Sequence, residues 1–488
     1  MSNQLPVALL LCCFAVAFTA CTPPSAPEVM KPNIVFILAD DMGYGDPGAY
    51  NPDSKIPTPN MDQLAAEGIR FTDAHSPSGV CTPTRYGIMT GRYSWRTRLK
   101  KGVTRGYSAN LIDTTRTTVA KLLKNEGYAT AIIGKWHLGL GETEPLDYSQ
   151  RLYPGPRAHG FDYYFGIPAS LDMIPYVYVE NEEVMELPTD SVGPSGYEYG
   201  GPYWRAGPIA PSFKHIDVHP TFTTRAVNFI AQHAENASEQ PFFLYLPLAS
   251  PHTPWLPTEN FQGISQAGEY GDFTTEVDWT VGQVMQQLEA HGMTEHTLIM
   301  VASDNGSFWI QDDIDRYDHL SNLNLRGIKA DIHEGGNRVP LIARWPAQID
   351  AGLVSDHLVS LVDLMGTFAE LLDVELPANT AEDSHSFLPQ LMGKESLSGR
   401  NDVIMHSSEG MFAIRKGDWK LIEGLGSGGF TQPRFIEPTP GGPAGQLYNL
   451  AEDLQETNNR YAEEPEVVAE LTALLNQQRD QGFSRSID

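Results

Sequence analysis

Basic residues are scarce in this chain. Lys and Arg number 33 against 61 Asp and Glu, a net charge of −28 over 488 residues. That excess of negative charge argues against nucleic acid as the main partner. Any surface that receives an anion must therefore be local. Long apolar runs are scarce too. "LPVALLLCCFAVAFTAC", near the start, is shorter than the roughly 20 residues that span a bilayer as a helix. It reads as an export signal over residues 1–20, with residues 21–32 as a proline-stiffened tether. Its Thr19-Ala20-Cys21 ending resembles a bacterial lipoprotein cleavage box, with Phe18 where Leu is usual and no basic residue ahead of the apolar run. Cys21 is then the candidate lipid-bearing residue, and the expected location is periplasmic or on the outer membrane or cell surface; an ordinary signal peptide and secretion is the alternative. Cysteine is the third scarcity, with 4 in all: Cys12, Cys13, Cys21 and Cys81. The first two leave with the signal, so Cys81 is the one thiol in the folded body and has no partner for a disulfide. A lone thiol in an exported protein is either buried and inert or chemically employed.

What remains is an ordinary globular balance, 41% hydrophobic and 19% charged, in a chain long enough for one large α/β domain and a smaller one. Apolar runs alternate with amphipathic stretches. "NIVFILADD", "ATAIIGKWHLG", "PFFLYLPLASPH", "HTLIMVASDNG" and "VPLIARWP" read as buried strands. "NMDQLAAEGIRF", with Asn60 as N-cap, "TTVAKLLKNEGY", "TTRAVNFIAQHA" and a face of Val277, Val281, Val284, Met285 and Leu288 read as helices. The alternation predicts an α/β fold, a large mostly parallel sheet sandwiched by helices, over residues 33–395. Residues 142–220, rich in Gly, Pro, Tyr and Trp, read as long loops along one rim. Residues 396–488 predict a smaller C-terminal α+β domain: an antiparallel sheet from "DVIMHSS", "MFAIRKGDWKLIEG" and "GQLYNL", and a closing helix "EPEVVAELTALLNQQRDQ".

The polar residues fall at strand ends. The first four strands close on Asp40-Asp41, Lys135-Trp136-His137, Ser250-Pro251-His252 and Asp304-Asn305-Gly306. In an open parallel sheet such ends share one edge, where ligand sites form. Asp40, Asp41, Asp304 and Asn305 are hard oxygen donors that suit Ca²⁺ or Mg²⁺ better than Zn²⁺. Without a cation, converging carboxylates raise one another's pKa. In "CTPTRYGIMTGR", Pro83 suits a first helical turn and Gly91 an ending. Cys81 then sits at a helix N-terminus, where backbone N–H groups favour an anion and activate a side chain, with Arg85 one turn on.

These residues resemble the type I formylglycine-dependent sulfatases, arylsulfatase-like members of the alkaline phosphatase superfamily. The family pattern C-x-P-[ST]-x-R is met by Cys81-Thr82-Pro83-Thr84-Arg85 and continues in Thr90-Gly91-Arg92. "PNIVFILADDMGYGD", "GKWHLG", "SPHTPW", "SDNG" and "RGIKADIHEGGNRVP" follow the family's blocks in order. The resemblance implies a bacterial polysaccharide sulfatase whose Cys81 is converted to formylglycine by a separate maturation enzyme. It implies calcium held by Asp40, Asp41, Asp304, Asn305 and the modified Cys81, with Mg²⁺ as the alternative ion. Arg85 would hold the formylglycine side chain. Lys135 and Lys329 would contact sulfate, His252 would help protonate the leaving alcohol together with Lys329, and His137 would take a proton from the second hydroxyl to expel sulfate.

For the substrate, a sulfated oligo- or polysaccharide is expected, with a galactose or N-acetylgalactosamine 6-sulfate preferred on overall likeness. Arg92, Arg96, Arg98, Lys100, Lys101 and Arg105 form a basic cluster that could draw such a polymer to the site. Asp172, Tyr203, Trp204, Arg205, His215 and His219 are candidate sugar contacts. Two rivals stand beside this reading: a related phosphodiester or phosphonate monoester hydrolase, and a non-catalytic glycan-binding relative.

Overall fold

The structure, a computed structural model, describes Met1 and residues 31–236, 239–394 and 399–486. The signal, Cys21, nearly all of the tether and the expected boundary at residue 395 lie outside the described residues. Among the described residues, ten strands form one mixed sheet. At its centre Asn33–Asp40 lies between Phe242–Pro251 and Thr297–Ser303 and runs parallel to both. Ala129–Lys135 and then Tyr163–Ile167 extend the parallel run beyond Phe242–Pro251. Apart from Asn33, Ala129 and Tyr163 at their starts, these strands are buried along their whole length. Such strands read as unbroken apolar runs because both faces are covered.

The mostly parallel sheet is as expected, and three details differ. Leu341–Arg344, in the segment expected as a further strand of the mostly parallel sheet, runs antiparallel to both of its neighbours. The region 142–220 is more than rim loops: it supplies the Tyr163–Ile167 strand, hidden in sequence by its shortness and its Gly-rich, aromatic surroundings. The helix expected to be capped by Asn60 begins instead at Pro59, with Thr58 ahead of it. The Asp278 carboxylate, from the facing helix Gly268–Ala290, accepts from the N–H groups of Asn60 at 3.1 Å and Met61 at 2.7 Å. A distant acid thus satisfies the orphan donors of the first turn.

The C-terminal region forms a four-stranded antiparallel sheet, Asp402–His406, Phe412–Lys416, Trp419–Ile422 and Gln446–Asn449, closed by the helix Pro465–Gln481. It docks through a buried charge cluster. Lys420 Nζ lies 2.9 Å from both Glu334 Oε1 and Glu456 Oε1. Glu334 also pairs with His75 at 3.0 Å and Arg338 at 2.9 Å. Burial works to raise both acids; Lys420, with His75 and Arg338, holds Glu334 well below the carboxylate range, while Glu456 rises to about 7. Replacing Lys420 by Met would leave two carboxylates facing each other without water. Chemical denaturation should show a loss of about 3–5 kcal/mol, and a loss below about 1 kcal/mol would deny the cluster its role.

Candidate active site

The parallel strands deliver their polar ends to one edge. Successive strand residues point to opposite faces, yet Asp40 and Asp41 both enter the same cluster. The chain leaves the extended form at Asp41, where φ is 66°, and does so again at His137, where φ is 57°. The Cys81–Thr90 helix starts after an extended Val80 and is buried throughout. It ends at Gly91, whose φ is 61° and whose absent Cβ would stand 2.7 Å from that of Ala381. Both features demand glycine, which accounts for the Thr90-Gly91-Arg92 ending.

Ligand atoms of Asp40, Asp41, Cys81 and His252 lie within 4.8 Å of one another, all buried. The Cys81 thiol donates to Asp40 Oδ1 at 3.4 Å. Asp40 Oδ2 pairs with Lys135 Nζ at 2.5 Å, and Asp41 Oδ2 with Lys329 Nζ at 2.6 Å. Arg85 donates to Asp304 Oδ2 from Nε at 3.0 Å and from its terminal nitrogen at 2.8 Å, and to the Lys135 carbonyl at 3.0 Å. Asn305 Nδ2 donates to Asp41 Oδ1 at 2.7 Å. Lys329 arrives from a loop fixed across the helix start: its N–H donates to the Ser307 carbonyl, and the N–H of Ala330 to that of Gly79.

The charges split the carboxylates instead of raising them together. Burial works to raise Asp40, but Lys135, His252 and Arg85 hold it well below the usual range. Asp304 is pushed up to about 7 by burial and by the Asp40 charge. The expected activation of the thiol is not found, since burial pushes Cys81 well above its ordinary value in spite of Lys135, with Asp40 and Asp304 adding to the rise. Desolvation at this helix start outweighs its N–H groups, and an unmodified Cys81 stays protonated at neutral pH. His137 is held well below 6.5 by burial and then by Lys135 and Arg85. Its Nε2 faces the Thr104 carbonyl at 2.8 Å, so Nε2 carries the proton and Nδ1 keeps a free lone pair. His252 is lowered by burial and by Lys329. Burial would lower Lys329, but Asp41 beside it holds the ammonium well above its ordinary value.

The donor set fits a hard divalent cation. Asp40, Asp41, Asp304 and Asn305 converge, and Asn305 Oδ1 is buried with no hydrogen-bond partner among the described residues. A buried acceptor left without a donor is costly, and a cation would satisfy it.

The other expected contacts divide. Asp172 is buried and pairs with Arg205, while its Oδ1 has no partner among the described residues. Tyr203 lies under the Arg205 guanidinium, and Trp204 stacks on His215 at 4.9 Å. His219 belongs to packing: it bonds Ser250 Oγ, the Glu276 carbonyl and Thr280 Oγ1 between helices and strand. Half of the basic cluster is paired with acids. Arg92 pairs with Glu382 at 3.2 Å, Arg96 is closed on Asp383 by two bonds of 2.8 Å, and Lys101 meets Glu409 at 3.4 Å. Arg98 donates to the Ala109 and Asn110 carbonyls and Lys100 to that of Trp95. Arg96, with its side chain 3% exposed, is a structural strut and no docking cation. Arg105 and Arg205 instead line a cavity of about 310 Å³ together with Tyr107, Glu144, Met173 and Ile174.

Two site residues escape the sequence reading. Ser170 Oγ lies 3.2 Å from Lys135 Nζ and 3.3 Å from the His252 ring. Tyr199 Oη accepts from Lys329 Nζ at 2.9 Å. Ser170 stands two positions before Asp172, a usable signal; Tyr199 comes from a loop without periodicity.

Comparison with known proteins agrees with this geometry. The Sulfatase family model matches residues 32–374, and the model of the N-sulphoglucosamine sulphohydrolase C-terminal region matches residues 329–481. An N-acetylgalactosamine-6-O-sulfatase of Bacteroides thetaiotaomicron is 36% identical over 91% of this chain and 92% of its own length. Arylsulfatase A of Bos taurus is 33% identical over 91% of this chain and 86% of its own. A solved structure described under the metabolism of multiple glycosaminoglycans by B. thetaiotaomicron superposes with a TM-score of 0.82 at 34% identity, covering 92% of this chain and 99% of that one.

Proposed function

Because the chain belongs to the sulfatase family, whose members hydrolyse sulfate esters, we propose that it removes 6-sulfate from galactose or N-acetylgalactosamine units of a sulfated oligo- or polysaccharide. The convergence of Cys81, Asp40, Lys135 and Lys329 on one buried point carries the chemistry, and the Bacteroides relative supports the sugar. Formylglycine made from Cys81 would supply, as its hydrate, two hydroxyls on one carbon: one to attack sulfur, one to let sulfate depart by elimination. A calcium or magnesium ion held by Asp40, Asp41, Asp304 and Asn305 would supply positive charge at the sulfate oxygens.

The chain's own groups do the rest. Lys135 and Lys329 are placed to balance the sulfate charge as it grows in the transition state. Arg85 holds Asp304 and the Lys135 carbonyl, and so the frame around position 81. His252 and Lys329 together serve the departing alcohol, the Lys329 ammonium holding the proton it takes. His137, neutral and with Nδ1 free, accepts one when sulfate leaves. We further place the protein, from residues 1–21, in the periplasm or at the cell surface, anchored by lipid on Cys21.

Sulfate release from sugars sulfated at defined positions tests this reading, beside an aryl sulfate, an aryl phosphodiester and a phosphonate monoester. A 6-sulfated galactosamine should turn over fastest. Preference for a 4-sulfate would sink the sugar assignment, and faster phosphodiester cleavage would sink the sulfatase assignment.

A further inference from the structure

We propose that Tyr199 is a specificity-determining residue on the leaving-group side of the site, joining Lys329 to His252 and favouring turnover of esters of unactivated carbohydrate alcohols. The inference rests on the sulfate-ester reading above.

Tyr199 rides on residues 193–206, the loop of a small hairpin whose strands Asp190–Val192 and Gly207–Ile209 pair antiparallel. The loop turns through Gly196, Gly200 and Gly201, with φ of 83°, 91° and 63°. Its far side is fixed to the segment that carries His252: the Gly201 carbonyl accepts from Thr253 Oγ1 at 2.7 Å and from the Trp255 N–H at 2.9 Å. Tyr199 and His252 therefore share one frame.

The hydroxyl closes a directed chain. The Lys329 ammonium can only donate, so Tyr199 Oη accepts at 2.9 Å. His252 Nδ1 sits against the Thr253 carbonyl and so carries the ring proton, which leaves Nε2 as an acceptor 3.4 Å from Tyr199 Oη and 3.3 Å from Ser170 Oγ. The Tyr199 proton then points at Nε2, and burial keeps the phenol protonated. A chain of this polarity holds the Lys329 ammonium, the group in it with a proton to give the leaving oxygen, in fixed orientation against His252 and polarises each link. The ring itself packs on Phe308 at 4.9 Å, Tyr203 at 5.8 Å and Phe430 at 5.9 Å. Those half-buried rings, Tyr203 from the same loop and Phe308 and Phe430 from distant parts of the chain, make an aromatic rim suited to the apolar face of a sugar.

The need for this link depends on the alcohol. A sugar alkoxide must be protonated as it leaves, whereas a nitrophenolate leaves without help. Tyr199→Phe keeps the ring and removes only the hydroxyl. Acid catalysis contributes about 100- to 10,000-fold, and the hydroxyl orients that acid without replacing it. On a 6-sulfated sugar, kcat should fall by about 10- to 100-fold with KM little changed. On 4-nitrophenyl sulfate the loss should be at least about ten times smaller, a split that a merely structural role would not produce. The aryl rate also reports that the variant is folded and matured. Tyr199→Leu, which removes the ring as well, should in addition raise KM for the sugar sulfate. Equal losses on both esters, or none on the sugar ester, would overturn the assignment of Tyr199 while leaving the sulfatase reading intact. A wild-type enzyme that releases sulfate from neither ester would overturn the parent reading and this one with it.

Discussion

Cys81→Ala should abolish sulfate release. Removing the nucleophile from an assembled hydrolytic site costs roughly 10,000- to 1,000,000-fold in turnover, and here the alanine leaves nothing at the point where Asp40, Lys135 and Lys329 converge. The informative companion is the wild-type chain made in a host that lacks a formylglycine-generating enzyme. Its thiol hydrogen-bonds Asp40 and is held well above its ordinary pKa by burial. A protonated thiol is a poor nucleophile, so this preparation should be nearly as inactive as the alanine variant although its fold is unchanged. Mass spectrometry of the peptide spanning residue 81 should then correlate with activity across preparations: activity should track the aldehyde fraction and extrapolate to zero where only thiol is present. Full activity from an unmodified thiol would refute the formylglycine mechanism outright.

The parts of the site carried by buried strands were legible because burial on both faces turns a strand into an apolar run, and the polar residues that end the run stand out. Asp40, Lys135, His252 and Asp304 follow from that rule. The cysteine helix followed from Pro83 and Gly91, and Gly91 proves necessary for both its φ and its closeness to Ala381. The sign of the Cys81 shift was not legible. Local spacing shows helix N–H groups but not how completely the surroundings exclude water. The basic cluster misled for a related reason. Arg96 and Lys101 find Asp383 and Glu409 across separations of 287 and 308 residues, and no local window shows such partners. Tyr199 and Ser170 are placed by loops that tertiary contacts alone fix, so no periodicity announces them.

Removal of divalent cation should eliminate turnover and expose a pH signature in stability. Asp41→Asn, which weakens both the oxygen donor set and the hold on Lys329, should lower the activity of the cation-loaded enzyme by about 100-fold or more, on the scale of losing a transition-state charge contact. The signature comes from Asp304, whose pKa is raised from 3.8 to about 7 by burial and by Asp40. A raised acid binds more protons folded than unfolded, so its contribution to stability is fully present at low pH. That contribution is lost at about 1.4 kcal/mol per pH unit as pH climbs from about 4 towards 7. A cation needs the carboxylate, so it competes with that proton. In chelator-treated protein the unfolding midpoint should therefore decline over this window. Added Ca²⁺ should restore more stability at about pH 8 than at about pH 5.5, approaching about 2.7 kcal/mol when the free ion stands at 100 times its Kd. Asp304→Asn removes the titrating group and should flatten the decline. Ca²⁺ stabilisation that is equal at both pH values, or turnover that survives exhaustive chelation, would refute the assignment of Asp40, Asp41, Asp304 and Asn305 as a cation site.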